Sequence, residues 1–202
     1  MNIVKQSVQL RWITPNALKV LEISGRVAWK SEERITCGSE KEFVKKILYD
    51  LKHESVIEHA SASFLIICDR GVSHEIVRHR IASYTQESTR YCNYSKEKFG
   101  NAITFIQPPF KSDASITPWI FAMQAAEEKY FRLIALGEPP QFSRSILPNS
   151  LKTEIVMTCN FREWRHFLKL RTAKNAHPQM QEIANMIHEI LKKEVEIIFD
   201  EL

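Results

Sequence analysis

The sequence predicts one α/β (α+β) domain over residues 1–202, a mixed β-sheet flanked by helices. Three observations lead there. Segments with strand-like alternation and segments with helical periodicity occur in mixed order, which favours a layered fold over a bundle or sandwich. A chain of 202 residues, 44% hydrophobic and 26% charged, is long enough to bury one sizeable core. No repeat, low-complexity tract or linker divides it.

Val8 to Thr14 alternates as a short strand, and Pro15-Asn16 opens an apolar-periodic helix over Ala17 to Trp29. A second helix is expected over Glu40 to Leu51. Ala60 to Cys68 is apolar enough for a buried strand, and Asp69-Arg70-Gly71 breaks it before a helical pattern from Val72 to Arg80. Ile81 to Pro109 has weak periodicity and many Ser, Thr and Asn residues, so it reads as a long loop with a short strand near Ile103 to Ile106. A helix at Trp119 to Leu136 is stopped by Gly137 and Pro139-Pro140. Glu154 to Cys159 then reads as a strand, Arg162 to Leu170 as a helix, and Gln179 to Phe199 as a long helix started by Pro178.

Composition excludes several classes. The longest apolar run, Phe64 to Cys68, is far short of the roughly 20 residues that cross a bilayer, and Lys5, Gln6, Gln9 and Arg11 interrupt the start where a secretory signal would be apolar. A cytoplasmic protein with no membrane segment is expected. Cys37, Cys68, Cys92 and Cys159 lie far apart with no C-x-x-C pair, which fits reduced, mostly buried thiols and predicts no metal site. The five glycines are too scattered for a G-x-G-x-x-G or P-loop pattern, so a nucleotide would be held by other means. A net charge of +4 suits an enzyme for anionic metabolites and a nucleic-acid binder equally.

The densest constellation runs from Arg78 to Tyr91: three arginines, His79 and four Ser or Thr hydroxyls in a helix end and loop. Arginine's planar fork matches phosphate oxygens bidentately, and Ser88 or backbone N–H groups can complete such a cradle. Arg78-His79-Arg80 alone would be an ordinary solvated basic helix end; Ser88, Arg90 and Tyr91 weaken that reading.

Arg-His-Arg, seven residues, then Ser88-x-Arg90-Tyr91 resembles the signature of the flavin-dependent thymidylate synthases, the ThyX family. Upstream, His53-Glu54-Ser55-Val56-Ile57-Glu58-His59 resembles the family's His-x-Ser/Thr-x-x-Glu-His segment. Downstream, Ser143-Arg144-Ser145-Ile146-Leu147-Pro148 and Asn160-Phe161-Arg162-Glu163-Trp164-Arg165-His166-Phe167 are similar to two further segments, and Arg171 with Ala176-His177 follows. The likeness covers about Leu51 to the last helix.

The resemblance implies a single catalytic domain of the family's fold. It implies reductive methylation of dUMP to dTMP, with methylenetetrahydrofolate as carbon donor and FAD, reduced by NADPH, as hydride source. It puts flavin contacts at Ser55, Arg78, His79, Arg80, Gln86, Asn160, Arg162 and His166, with His53 nearby. It puts Glu75, Arg78, Gln86, Glu87, Ser88, Thr89, Arg90, Arg144 and Arg171 with dUMP, Arg171 being the catalytic candidate at the uracil ring. It also implies a homotetramer with active sites shared between subunits. Helical geometry agrees with this division, since at about 100° per residue Arg171 is turned roughly 180° from Arg162 while His166 shares the face of Arg162.

Some positions depart from the family pattern. Ala28 stands where a hydroxyl is common, and Glu75 replaces a frequent glutamine; a carboxylate there would repel a phosphate, so it is expected to hold Arg78 one turn away. The segment Thr172 to His177 is longer than usual.

No cysteine lies in the signature, so the strategy of adding a thiolate to the ring is not expected. Outside the family pattern, Arg162 and Arg165 would be a solvated face, His166 a partly buried histidine, and His53 and His59 capping or core residues. Two rivals remain. A relative installing another one-carbon group on a pyrimidine nucleotide would use the same motifs. A basic nucleic-acid binder would use Arg78, Arg80, Arg90, Tyr84, Tyr91 and Tyr94, but it leaves the motifs around Ser55, Asn160 and Arg171 unexplained, and no nucleic-acid partner is expected.

Overall fold

The computed structural model describes residues 1–202. Strands β1 (Asn2–Val4), β2 (Ser7–Ile13), β3 (Ser61–Asp69), β4 (Ser83–Gln86), β5 (Thr104–Ile106) and β6 (Lys152–Asn160) are interspersed with seven helices. These are α1 (Ala17–Arg26), α2 (Ser39–Lys45), α3 (Arg70–Ile76), α4 (Ile116–Ala135), α5 (Pro140–Ser143), α6 (Phe161–Arg171) and α7 (Pro178–Glu194). Strands β2, β3, β6 and β4 are hydrogen-bonded in that order, and β1 pairs in parallel with β5. Mixed sheets and helices are thus present as the sequence predicts. No helix is long and apolar enough to cross a membrane.

The burial of β6 follows its period of two: Thr153, Ile155, Met157 and Cys159 are buried and the residues between them half-buried. β3, between β2 and β6, buries Ala62, Ser63 and Phe64 in succession, as a central strand does. The chain divides into two compact units. The first comprises Met1–Ser7, Ile66–Arg78 and Thr85–Ile155; the second comprises Val8–Leu65, His79–Tyr84 and Val156–Leu202.

In the second unit, Asn160 caps α6 by accepting from the Glu163 backbone N–H at 2.9 Å. Fully buried Trp164 then donates its indole N–H to the Ala62 carbonyl at 3.1 Å and sets its ring edge-on to Phe64, which fixes α6 against β3. Gly25 admits the Phe43 ring, since a Cβ there would lie 2.7 Å from it. α7 buries Met180, Ile183, Ala184, Ile187 and Leu191 at helical spacing. It stops at Glu194, short of the expected Phe199, because Val195 turns extended; Ile198 and Phe199 are still buried from the turns that follow.

In the first unit, Asp69 caps α3 by accepting from Val72 N–H at 2.7 Å. The expected helix to Arg80 ends at Ile76, because Arg78 N–H closes a tight turn onto the Glu75 carbonyl and the chain leaves the helix. Tyr94, Ile103, Phe105, Met123, Tyr130 and Leu151 form the core of this unit, with α4 contributing Met123 and Tyr130. β1 and β4 are additions to the expected elements.

Candidate functional site

Helix α6 and the turn Glu54–His59 line a groove of about 800 Å³ in the second unit. Asn160, Arg162 and His166, three of the residues expected at the flavin, lie in its wall, together with the cations Arg165 and Lys169, the carboxylates Glu54, Glu58, Glu163 and Glu201, and Ile81, Thr172 and Leu202. Arg162 pairs with Glu58 at 2.5 Å and with Glu54 at 3.8 Å. Arg165 stands 3.6 Å from Glu54 and donates to the Ile198 carbonyl. The α6 cations therefore face two carboxylates from the His53–His59 motif, which sequence reasoning passed over although both lie inside it.

Against Glu163 and His166 of this wall, His79 is buried between charged groups. Its Nδ1 is 3.3 Å from Glu163, and its Nε2 accepts from Arg171 Nε at 3.0 Å. Phe167 and His166 pack against the ring with centroids 4.8 and 5.8 Å away. Burial, with the charges of Arg171 and His166, pushes the His79 pKa down to about 4, whereas burial raises that of Glu163. His79, Glu163 and His166 bring ligand atoms within 4.8 Å of one another, a spacing a divalent cation can use, but the Arg171 guanidinium against His79 opposes a second cation there.

In the first unit, the residues after β4 form a second cluster. Gln86 donates to Ser73 Oγ at 2.9 Å and Thr153 Oγ1 at 3.1 Å, so its amide N–H groups are spent inside the protein. Glu87 accepts from the Tyr94 hydroxyl at 2.9 Å and from Lys152 at 3.2 Å. Ser88 Oγ accepts from the Arg90 N–H, and buried Thr89 accepts from Arg144 Nη1 at 3.3 Å. The exposed guanidiniums of Arg90 and Arg144 are thus gathered on one hydroxyl-bearing loop; Arg90 also lies over the Tyr91 ring at 5.2 Å.

The other expected residues are spread more widely. Arg78 and Arg80 are exposed on either side of buried His79, and Glu75 is half-buried on α3. His53 is stacked on Trp29, the residue after Ala28, with centroids 5.9 Å apart, and Ser55 is exposed on the adjoining turn. Glu163 had no signal of its own, because a glutamate in the first turn of a helix ordinarily faces water.

A model of the family described as thymidylate synthase complementing protein matches residues 9–196. The flavin-dependent thymidylate synthase of Geobacter sulfurreducens is 33% identical over 195 residues, 92% of this chain and 82% of the relative. That of Pyrococcus abyssi is 37% identical over 172 residues, 82% of this chain and 69% of the relative. Among solved structures, thymidylate synthase X of Helicobacter pylori with FAD and dUMP superposes with a TM-score of 0.79 at 24% identity, covering 97% of this chain and 98% of the other. The UMP/dUMP methylase PolB of Streptomyces cacaoi, bound with 5-Br dUMP, gives 0.82 at 23% identity, covering 99% and 96%. These two likenesses concern the fold.

Proposed function

Because this chain belongs to the flavin-dependent thymidylate synthase family, we propose that it carries out the reductive methylation of dUMP to dTMP, with methylenetetrahydrofolate as carbon donor and NADPH-reduced FAD as hydride source. The groove of about 800 Å³ holding Asn160, Arg162 and His166 carries this reading. Its donor set fits a flavin nucleotide. Arg162, Arg165 and Lys169 offer cations to a pyrophosphate, and Ile81 offers apolar surface to a ring. Arg162 is half exposed and its carboxylate partners nearly so, and such pairs are worth only about 0–1 kcal/mol, so exchanging them for phosphate oxygens costs little.

Bound there, the reduced flavin supplies the hydride, and the chain supplies orientation and charge. Flavin contacts are assigned to His53, Ser55, Arg78, His79, Arg80, Gln86, Asn160, Arg162 and His166. Arg90 and Arg144, with Ser88 and Thr89, take the dUMP phosphate; Lys152 neutralises Glu87, which would otherwise repel it. Arg171 faces the pyrimidine and stabilises negative charge developing on its carbonyl oxygens. Burial pushes the Cys68 thiol up to about 12 and also raises Cys159 and Cys92, so these three offer little thiolate for attack on the ring. We further infer that residues 1–202 act as one catalytic domain in a cytoplasmic homotetramer, whose subunits share their active sites.

The purified protein should be yellow, or become so with FAD, bleach on adding NADPH without air, and form dTMP from dUMP and methylenetetrahydrofolate. Light scattering should give four copies. A colourless preparation that takes up no FAD would overturn the reading of the groove.

A further inference from the structure

Glu163 has no part in the roles above, yet its side chain is only 8% exposed. The other deeply buried glutamate, Glu22, is held by Arg26 at 2.6 Å and by the Ser39 hydroxyl. Glu163 has an imidazole beside it instead. The contacts around that imidazole have a direction. Arginine Nε always carries a proton, so its hydrogen bond to His79 Nε2 requires a lone pair on that nitrogen. A neutral imidazole with a bare Nε2 carries its proton on Nδ1, and Nδ1 is the atom 3.3 Å from Glu163. With its pKa pushed down to about 4, the His79 ring is neutral near neutral pH. Phe167 and His166 hold it in place.

We propose that Glu163 is a positioning residue for Arg171: by keeping the His79 proton on Nδ1, it keeps Nε2 an acceptor and so fixes the plane of the Arg171 guanidinium. The other tautomer would set two N–H groups against each other and displace the guanidinium. The proposal rests on the reading that places Arg171 at the pyrimidine. There a misplacement of about 1 Å is enough to cost on the order of 10²-fold in rate.

The test uses full-length, flavin-loaded protein labelled with ¹⁵N-histidine, as wild type, Glu163→Gln and Glu163→Ala, with His79→Gln to identify the resonance. Glutamine can still accept from Nδ1–H through its side-chain oxygen, so Glu163→Gln should keep the Nδ1-protonated form and most of the single-turnover dTMP formation. Glu163→Ala should show Nε2-protonated ring and turnover lower by on the order of 10²-fold. A wild type with Nε2 protonated overturns the proposal, as does a Glu163→Ala with unchanged tautomer and turnover. Equal loss of turnover in both variants without a change of tautomer shows a merely structural role and also overturns it. If Glu163→Ala does not fold, Glu163→Gln decides: retained tautomer and turnover support the proposal, and loss of either overturns it. A wild type that makes no dTMP overturns the functional reading instead, and is recognised because the tautomer spectrum is read independently of activity.

Discussion

Arg171 donates from Nε to Nε2 of His79 across 3.0 Å, tying the last residue of α6 to the middle of the Arg78-His79-Arg80 motif. On the same helix, Arg162 points instead to Glu58. The half-turn that separates these two arginines on a helical wheel thus corresponds to two sets of partners: the exposed carboxylates of the groove and a buried imidazole.

Burial of His79 makes stability depend on pH. A histidine whose pKa falls from 6.5 in the unfolded chain to about 4 in the fold adds no cost above pH 6.5. As the pH drops from 6.5 towards 4, the unfolded chain takes up the proton first, and stability falls by on the order of 3 kcal/mol. Glu163, raised by burial, acts in the opposite sense at the acid end of this window. The expected result is a Tm that declines through this range in the wild type and declines less steeply in His79→Gln. Equal slopes for the two proteins would exclude His79 as the cause.

Trp164→Phe is expected to lower the unfolding free energy by about 1–3 kcal/mol, because it leaves the buried Ala62 carbonyl without its indole donor. Trp164→Ala, which also opens a cavity beside Phe64, should cost about 3–5 kcal/mol. Urea midpoints at constant slope measure both. A Trp164→Phe as stable as the wild type would show that water or another donor replaces the indole.

The long elements were legible because the burial of each follows its own period: β6 alternates, α6 buries Phe161, Trp164, Phe167 and Leu168 at helical spacing, and the Asn160 cap marks where one hands over to the other. β4 was not, since Ser83-Tyr84-Thr85-Gln86 is short and polar and owes its pairing to β6, far away in sequence. β1 is a strand only through β5, about 100 residues on. At the site, the motifs drew attention to the cations, and Arg162 and His166 do line the groove. Their acidic counterparts Glu54, Glu58 and Glu163 could not be recognised, because pairing and burial are properties of the folded chain.

Arg144→Ala should raise the dUMP concentration needed for half-saturation by roughly 10- to 100-fold, the loss of one charge-assisted contact to phosphate. Arg144 is exposed, and its contact to Thr89 is long at 3.3 Å, so the fold should be little changed. Anaerobic reduction of the flavin by NADPH should match the wild type. Titration of dUMP by fluorescence or calorimetry provides the check; unchanged affinity would remove Arg144 from the phosphate cradle.

Arg171→Lys separates the two roles of α6. The positive charge is kept, but the planar fork is lost, and with it the Nε donor that reaches His79. A lysine ammonium on its flexible stem can approach the imidazole or a pyrimidine carbonyl, but it cannot hold a fixed plane against both. Loss of one preorganised donor at developing charge costs about 10²–10³ in turnover, far more than a modest change in stability would. The groove residues Asn160, Arg162 and His166 are untouched, so FAD should remain bound and reducible by NADPH. The expected pattern is therefore near-normal anaerobic flavin reduction together with a collapse of single-turnover dTMP formation. If both half-reactions fall together, Arg171 serves the flavin rather than the pyrimidine alone; if neither falls, Arg171 is not at the pyrimidine.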